Sequence, residues 1–455
     1  MSASLRTWIE TTETAQWRAC SAEEARAAAP ASASAAGGWL ALSDSRDQSI
    51  DGFGGCFNEL GMEALRALPC ERMDAALDAL FGTEEGCRFS LCRLPIGASD
   101  YALDWYSLDE SPDDFRMERF SIERDRRCLI PYVKEAMRRQ GGLEFFASPW
   151  SPPTWMKSPA VYNSGRLRME DEVLRAYALY FLRYVRAYRD EGIEVSRIHV
   201  QNEPFADQKF PSCLWSADQF IVFIRDYLGP LFECEGERAR IWLGTLNGPE
   251  EMSFGPTGIR LDSFDDYVER ILLDEGACRY IAGIGYQWAG RANVQRTRES
   301  WPEIKIMQTE NECGDGRNSW DYAFYVFKLI RHYLANGAIS YAYWNMILKS
   351  RGVSTWGWPQ NSMITVDPSA GDFVLNPEYF VMKHFSRYVA KGARRVPTSG
   401  RWSSSSLVFE NPDSSLVVVA ANLQPAPRRM DIVAGGRAIA APTLAPRSIN
   451  SLVFG

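Results

Sequence analysis

Arg197-Ile198-His199-Val200-Gln201-Asn202-Glu203-Pro204 is the stretch of sequence from which the fold can be predicted. It begins with the pattern of a strand and runs into an amide, a carboxylate and a proline. Because proline has no N–H to donate to a sheet, the strand stops there and Glu203 is expected at its carboxyl end. A second stretch, IKIMQTENE at residues 304–312, has the same form and also ends in carboxylates. Two such strands far apart in sequence predict a barrel with two acids facing each other across its top.

Strand and helix patterns alternate from residue 52 to residue 389. Eight βα units close most simply into a (β/α)8 barrel, so the predicted fold class is α/β, a TIM barrel with an appended β-sandwich domain. The alternative is a doubly wound open sheet, which would need a phosphate-binding loop at its first turn; Gly52-Phe53-Gly54-Gly55 is not such a fingerprint. The predicted strands begin at Gly52, Arg88, Leu143, Arg197, Arg240, Ile281, Lys305 and Ile339.

After Val389 the pattern changes to short β runs between Gly, Pro, Ser and Asn turns. We therefore expect three segments. Residues 1–50 contribute strands that join the β-sandwich, residues 51–390 form the barrel, and residues 391–455 form the β-sandwich. A structural role is expected for the β-sandwich, because carbohydrate binding would need exposed aromatic side chains and only Trp402 is a candidate.

Composition limits the classes of function. The 455 residues include 50 basic and 58 acidic side chains, and the net charge of −8 argues against a nucleic-acid partner. The first residues lack a basic segment followed by an apolar run, so no signal peptide is predicted and a cytoplasmic location is expected. No apolar run reaches the ~18 residues that a membrane span needs.

Histidine and cysteine usage narrows the chemistry further. The chain has only three histidines, His199, His332 and His384, and no HExxH motif, which argues against a histidine-built metal site and against a Ser-His-Asp triad. Its ten cysteines include no CxxC pair, so reduced thiols are expected. No metal or other cofactor is expected, and carboxylates must carry any acid–base chemistry.

The two strand-end acids suit the hydrolysis of a glycosidic bond. The strand count places Glu203 after the fourth strand and Glu310 after the seventh, on opposite sides of the barrel mouth. Two carboxyl groups about 5–5.5 Å apart can cleave such a bond with retention when one is an ionised nucleophile and the other holds a proton. Asn202 could donate to a sugar hydroxyl beside the reacting carbon. The alternative, in which each glutamate merely pairs with an arginine, is less favoured for two acids at opposite strand ends.

The chain resembles glycoside hydrolase family 30, the family of the lysosomal glucosylceramidases. The resemblance spans roughly residues 50–390 and rests on six motifs in family order, and a C-terminal sandwich is also a family feature. The motifs are GFGG at 52–55, RLPIGASDY at 93–101, SPDDF at 111–115, ASPWSPPTWMK at 147–157, QNEP at 201–204 and TEN at 309–311. The resemblance implies Glu203 as acid/base, Glu310 as nucleophile, and retention. It also implies that the non-reducing sugar is bound by Asp100, Trp150, Asn202 and Trp344.

The chain departs from the glucosylceramidases at two places. Gln287-Trp288-Ala289 replaces their His-Trp-Tyr at the end of the sixth strand, which predicts an altered leaving-group side lined by Gln287 and Trp288. Glu312 lies two residues beyond Glu310, on the same strand face if the strand continues, where it could contact substrate or raise the pKa of its neighbour. The sequence STWGWPQN at 354–361 is aromatic enough to build a subsite wall.

What the resemblance implies is a retaining exo-β-glycosidase, an enzyme that hydrolyses β-D-glucosides through a covalent glycosyl-enzyme intermediate. Its partner would be a small carbohydrate or glycoside substrate. Alternatives within the same family are an endo-β-1,6-glucanase, a β-xylosidase and a β-fucosidase. A catalytically silent carbohydrate-binding protein is a more distant alternative.

Overall fold

The computed structural model describes residues 4–25, 38–248, 253–255, 258–260 and 265–455. One parallel sheet contains all eight predicted barrel strands, and each strand begins within three residues of its predicted start. We number these strands in chain order as β1 Gly52–Cys56, β2 Leu91–Ile96, β3 Glu144–Pro149, β4 Val195–His199, β5 Arg240–Trp242 with a second piece Thr245–Leu246, β6 Gly283–Gln287, β7 Lys305–Glu310 and β8 Ala338–Asn345.

The parallel sheet closes into a ring at β5. The first piece of β5 pairs with β4 and the second piece pairs with β6. Backbone bonds from Ala282 N to Ile241 O (2.8 Å) and from Leu243 N to Gly283 O (3.0 Å) join the first piece to β6 as well. At the other side of the sheet, β1 pairs with both β2 and β8. The doubly wound open sheet is therefore excluded, and the predicted TIM barrel is confirmed.

Helices follow most of the strands and pack their apolar faces against the barrel. The longest of the described helices, Asp171–Asp190, is amphipathic and buries Val173, Tyr177, Phe181 and Tyr184. The α-helices are Glu59–Arg66, Cys70–Phe81, Glu123–Arg127, Leu129–Arg139, Asp171–Asp190, Ala217–Phe223, Gly229–Cys234, Arg270–Leu273, Glu275–Cys278, Val294–Ser300, Trp320–Ala335 and Pro377–Ser386. Wider π turns occupy Ile224–Leu228 and Asp265–Glu269, and 3-10 turns occupy Thr154–Met156, Trp288–Asn293 and Ser403–Ser405. Within the described residues, no helix is both long and apolar enough to cross a membrane.

Two further sheets form a smaller module beside the barrel. The six-stranded sheet runs in the order Arg18–Ala19, Leu5–Thr11, Ser448–Phe454, Leu416–Asn422, Ser406–Glu410 and Arg394–Val396. The four-stranded sheet runs in the order Thr398–Ser399, Trp39–Leu42, Asp431–Ala434 and Arg437–Ala440. Strands from both ends of the chain thus share these sheets. The remaining short strands are Lys157–Ser158, Arg166–Leu167, Ser253–Gly255, Gly258–Arg260, Ile347–Lys349, Ile364–Asp367, Asp372–Leu375, Arg428–Arg429 and Thr443–Leu444.

The smaller module has an apolar core of its own. Buried side chains from both sheets contact one another there, among them Trp8, Leu40, Val418 and Trp402. Trp402 is 0% exposed, and its indole N–H donates to the backbone oxygen of Arg429 at 3.1 Å. Trp402, the one candidate for carbohydrate binding that the sequence offered in this module, is therefore not exposed, because the two sheets enclose its ring.

Candidate active site

The candidate site lies at the carboxyl ends of the barrel strands, where TIM barrels place their functional side chains. Glu310 is the last residue of β7. Glu203 follows β4 after an irregular step, in which Asn202 pairs with Thr245 and the Glu203 N–H donates to the Thr245 backbone oxygen at 3.0 Å. The barrel thus carries the two acids on strands that are far apart in sequence, as predicted.

The backbone at Glu203 is strained. Its φ of 48° lies in the left-handed region, which a residue with a Cβ atom enters at a cost of about 1–3 kcal/mol. The conformation is held by the bond to Thr245 and by a second bond from Ala206 N to Glu203 O at 2.9 Å. Strain of this kind concentrates at functional sites, where it fixes the position of a reactive group.

A completely buried arginine, Arg93 on β2, connects the polar groups of the site. Its Nη1 donates to Glu310 Oε2 at 2.5 Å. Its Nη2 donates to Asn202 Oδ1 at 2.6 Å, to Ser148 Oγ at 2.7 Å and to Thr245 Oγ1 at 3.1 Å. One guanidinium therefore positions both the nucleophile candidate and the amide beside Glu203. Sequence reasoning missed this role of Arg93, although the signal was present as an arginine inside an otherwise apolar strand.

Gln287, at the end of β6, adds a second donor to the same groups. Its Nε2 lies 2.8 Å from Asn202 Oδ1 and 3.1 Å from Glu310 Oε2. Because Asn202 Oδ1 already accepts from Arg93 and from Thr245 Oγ1, the orientation of the Asn202 amide is fixed and its NH2 group is the part left for a ligand. Gln287 Oε1 is buried without a hydrogen-bond partner in the described part of the chain.

The two acids differ in their electrostatic surroundings. Burial raises the pKa of Glu203 well above its usual range, and the charges of Glu310 and Asp100 raise it further. Burial also raises the pKa of Glu310, but the charge and hydrogen bond of Arg93 oppose this and the value is about 7. Among the described residues, Glu310 has the ion pair with Arg93 and Glu203 has no ion pair. The proton of the pair therefore resides on Glu203, and Glu310 ionises first.

Two tryptophans predicted to bind the sugar lie against each other and against Arg93. The rings of Trp150 and Trp344 are stacked, with centroids 5.4 Å apart and planes at 29°. Tyr101 meets Trp344 edge-on at 6.1 Å. The Arg93 guanidinium carbon lies 4.4 Å from the Trp150 ring centroid, a cation–π distance. The structure thus brings both indoles to the buried polar network.

Asp100, another predicted sugar-binding residue, is buried close to the two glutamates. Burial and the charge of Glu310 raise its pKa to about 8. Its side chain is hydrogen-bonded to Gln360, whose Oε1 accepts a bond of 2.8 Å from Asn345 Nδ2 at the end of β8. A short chain of amides therefore positions Asp100, a role that the sequence did not reveal for Gln360 or Asn345.

Two of the predicted site residues lie outside this network. Trp288 begins a 3-10 turn and is half-buried against the main barrel core. The strand β7 ends at Glu310, so Glu312 lies in the following loop and the condition for a shared strand face is not met. The Glu312 carboxylate is hydrogen-bonded to Tyr325 instead, and burial and Arg93 account for the pKa of Glu310.

His199, the last residue of β4, does not act as an acid or base in the site. His199 lies below it, fully buried, with Nδ1 at 2.7 Å from Gly244 O, and burial lowers its pKa to about 3. In the described ranges, no three or more His, Cys, Asp or Glu side chains are grouped so as to hold a metal ion.

Comparisons with known proteins agree with the barrel fold. The family model described as the glycosyl hydrolase family 30 TIM-barrel domain matches residues 50–389. The putative glucosylceramidase 3 of Caenorhabditis elegans is 26% identical over 437 residues, which cover 90% of this chain and 80% of that protein. An endo-1,6-beta-D-glucanase of Neurospora crassa is 25% identical over 407 residues, which cover 83% of this chain and 79% of that protein. The crystal structure of SrfJ from Salmonella typhimurium has a TM-score of 0.86 and 26% identity, with 98% of each chain covered.

The match includes every strand of the barrel and the segments that carry Arg93, Glu203 and Glu310. It agrees with the motifs on which the resemblance was based. The chain therefore belongs to glycosyl hydrolase family 30 and is an enzyme that hydrolyses glycosidic bonds.

Proposed function

We propose that this enzyme hydrolyses β-D-glucosides with retention of anomeric configuration, with Glu310 as nucleophile and Glu203 as acid/base. The observation that carries the proposal is the unequal environment of the two acids. Arg93 and Gln287 both donate to Glu310, which favours its ionised form. Glu203 is partly buried, and its loss of solvation and the charge of Glu310 favour its protonated form. A retaining glycosidase requires this difference.

In the first step, a Glu310 carboxylate oxygen attacks the anomeric carbon while Glu203 gives its proton to the leaving oxygen. The bond between that carbon and the leaving oxygen breaks, and an alcohol and a glucosyl ester of Glu310 form. Since the charge of Glu310 is one cause of the raised pKa of Glu203, the ester lowers that pKa. Glu203 thereby becomes a base at the moment when a base is needed.

In the second step, Glu203 takes a proton from a water molecule as the water oxygen attacks the anomeric carbon. The ester bond to Glu310 breaks, and the carboxylate returns to its ion pair with Arg93. Two inversions give net retention. The Arg93 bond is present at the start and the end of the cycle, so it stabilises Glu310 as a leaving group as well as an anion.

The surrounding residues support a glucose-sized sugar at this point. The free NH2 group of Asn202 can donate to the hydroxyl beside the reacting carbon, a bond that strengthens in the transition state. Asp100 can accept from hydroxyls farther away, and Trp150 and Trp344 supply aromatic surface. The relatives include enzymes named as glucosylceramidases and as endo-1,6-beta-D-glucanases, and both names favour a glucosyl unit.

A second candidate function is endo-β-1,6-glucanase activity. It is favoured by the Neurospora crassa relative of that name and by Gln287, which stands where the glucosylceramidases carry histidine. A β-xylosidase or β-fucosidase would use the same two acids.

Trapping the intermediate tests the proposed mechanism. The enzyme is incubated with a 2-deoxy-2-fluoro-β-glucoside that carries a good leaving group, and the labelled peptide is identified by mass spectrometry. We expect the sugar on Glu310, and NMR of an ordinary aryl β-glucoside reaction should show the β-anomer of glucose first. A label on Glu203, or the α-anomer as first product, would contradict the proposal. Products from a β-1,6-glucan then separate the two candidates: glucose alone supports exo action, whereas only mixed oligomers support endo action.

A further inference from the structure

The loop after β8 carries two stacked indoles at the surface. The rings of Trp356 and Trp358 lie 5.5 Å apart with planes at 17°. Trp358 is 45% exposed, and its indole N–H is directed to the backbone oxygen of Gly314 at 3.4 Å, in the loop that follows Glu310. One face of the Trp358 ring therefore rests on Trp356 while the side chain stays open to solvent.

The loop holds these rings in place before any ligand arrives. Ser354 N donates to Trp358 O at 3.0 Å, and Trp358 N donates to Ser354 Oγ at 3.2 Å, so the two tryptophans lie on a closed turn. Gly357, with a φ of 88°, supplies the left-handed conformation that this turn needs. Thr355 Oγ1 donates to the backbone oxygen of Asp100 at 3.1 Å, which ties the turn to a residue of the candidate site. A fixed surface loses little conformational entropy when it binds a ligand.

The pair is also continuous with the aromatic wall of the candidate site. Trp356 packs against the buried cluster that contains Trp150 and Trp344, and its ring lies 5.5 Å from that of Phe210. The indole N–H of Trp356 is buried and, within the described part of the chain, has no hydrogen-bond partner. A ligand that extends from the candidate site along this wall would meet the open ring of Trp358, which Trp356 supports from beneath.

We infer that Trp356 and Trp358 form a second sugar subsite, which binds one further pyranose unit of an oligoglycoside whose scissile bond lies at Glu203 and Glu310. The inference rests on the proposed function and narrows its substrate class. An open, flat ring suits the C–H face of a pyranose, whose hydroxyl groups remain at the polar rim. Asp315 and Arg317, next to Gly314, are exposed and charged, a setting that favours hydroxyl groups over a hydrocarbon chain.

The test compares substrates of different length. Wild-type protein, Trp358→Ala, Trp358→Phe and the same-loop control Val353→Ala are assayed with 4-nitrophenyl β-glucoside, octyl β-glucoside and β-linked glucose trisaccharides. Val353 is a suitable control because it is equally exposed, at 45%, and has no aromatic ring. For each protein, kcat/KM for the best trisaccharide is divided by kcat/KM for the aryl glucoside. We expect Trp358→Ala to lower this ratio about tenfold, Trp358→Phe to lower it less, and Val353→Ala to leave it unchanged.

Three results would overturn the inference: an equal loss on all substrates, an unchanged ratio, or a loss confined to octyl β-glucoside, which would indicate a hydrocarbon subsite.

Calorimetric titration of the Glu310→Gln protein with the trisaccharide measures binding in a way that does not depend on turnover. If wild-type protein hydrolyses none of the glucosides, the proposed function fails. The subsite is then judged by titration alone, where Trp358→Ala in the Glu310→Gln background should weaken binding about tenfold; unchanged affinity would overturn it.

Discussion

Arg93 Nη1 lies 2.5 Å from Glu310 Oε2, and the guanidinium that makes this contact is completely buried. The same side chain donates to Asn202 and Ser148, so the planar fork of N–H groups in its guanidinium donates to several acceptors at once. Removing the fork should therefore affect the charge of Glu310 and the orientation of Asn202 together.

Arg93→Lys keeps the positive charge but replaces the fork by one ammonium group. We expect kcat/KM to fall about 100-fold, and we expect the acidic limb of its pH profile to move to higher pH. The shift follows because Arg93 lowers the pKa of Glu310, so a weaker contact lets that pKa rise. Arg197→Lys is a matched control, since Arg197, in the middle of β4, also pairs with a carboxylate, but this carboxylate, Asp51, precedes β1 and lies at the opposite end of the barrel from Glu310. An unshifted acidic limb in Arg93→Lys would contradict this account.

The pH dependence of kcat/KM should be bell-shaped, with Glu310 ionisation as the acidic limb and Glu203 deprotonation as the alkaline limb. Glu203→Gln cannot lose a proton, so its alkaline limb should disappear. Its rate should fall most for substrates with poor leaving groups, because these depend most on proton donation. The measurement is a comparison of aryl β-glucosides whose phenols differ in pKa. If the variant loses the same factor with every phenol, Glu203 is not the proton donor.

Asp100 should make the folded protein less stable as the pH rises. Its pKa is about 8 in the folded protein, whereas an exposed aspartate titrates near pH 4, so the folded state holds a proton that the unfolded chain releases. This stabilisation is complete below about pH 4 and is lost as the pH rises to about 8. In urea unfolding, we expect Asp100→Asn to reduce the difference in unfolding free energy between pH 5 and pH 8 by about 1–3 kcal/mol. The exposed Asp104, changed to Asn, should leave this difference as it is in the wild type.

Trp402 should matter for stability and not for sugar binding. Trp402→Ala removes a fully buried ring from the core of the smaller module, which should cost about 3–5 kcal/mol of unfolding free energy. Trp39→Ala in the same module removes a ring that is 40% exposed and should cost about 1 kcal/mol or less. The measurement is urea unfolding together with KM for a glucoside. A raised KM in Trp402→Ala, with unfolding unchanged, would assign the ring to ligand binding instead.

The barrel was predictable because its determinants are local. A proline cannot continue a strand, so Pro204 limits how far β4 and the irregular step after it can extend, and this places Glu203 near the carboxyl end of the strand. Glu310 is not followed by a proline, and its place at the end of β7 was predicted from the strand pattern of residues 305–310. Glu312 shows the limit of such local patterns, because the strand ends two residues before it. The Glu312 carboxylate is hydrogen-bonded to Tyr325, which lies on the next helix.

The parts that could not be predicted depend on contacts between distant segments. Arg93 reads in sequence as one polar residue in an apolar strand, and its role appears only when Glu310, 217 residues away, meets it. Trp402 follows a glycine and an arginine in what reads as an exposed turn, yet strands from both ends of the chain enclose it. Packing between distant segments decides which side chains are buried, and a local sequence pattern does not show this.

The strand Leu5–Thr11 lies beside Ser448–Phe454, and this pairing has a consequence for synthesis of the chain. The Trp8 indole N–H donates to Asn450 Oδ1 across 442 residues of sequence. A ribosome that adds about 5–20 residues per second would make the first strand roughly 20–90 s before its partner. During that time the strand can pair with Arg18–Ala19 along one edge, but the edge that later meets Ser448–Phe454 has no partner, while the barrel between the two ends of the chain can already fold. The period during translation is therefore when this protein is most exposed to aggregation, and a chaperone that covers the first strand would act before the catalytic groups are assembled.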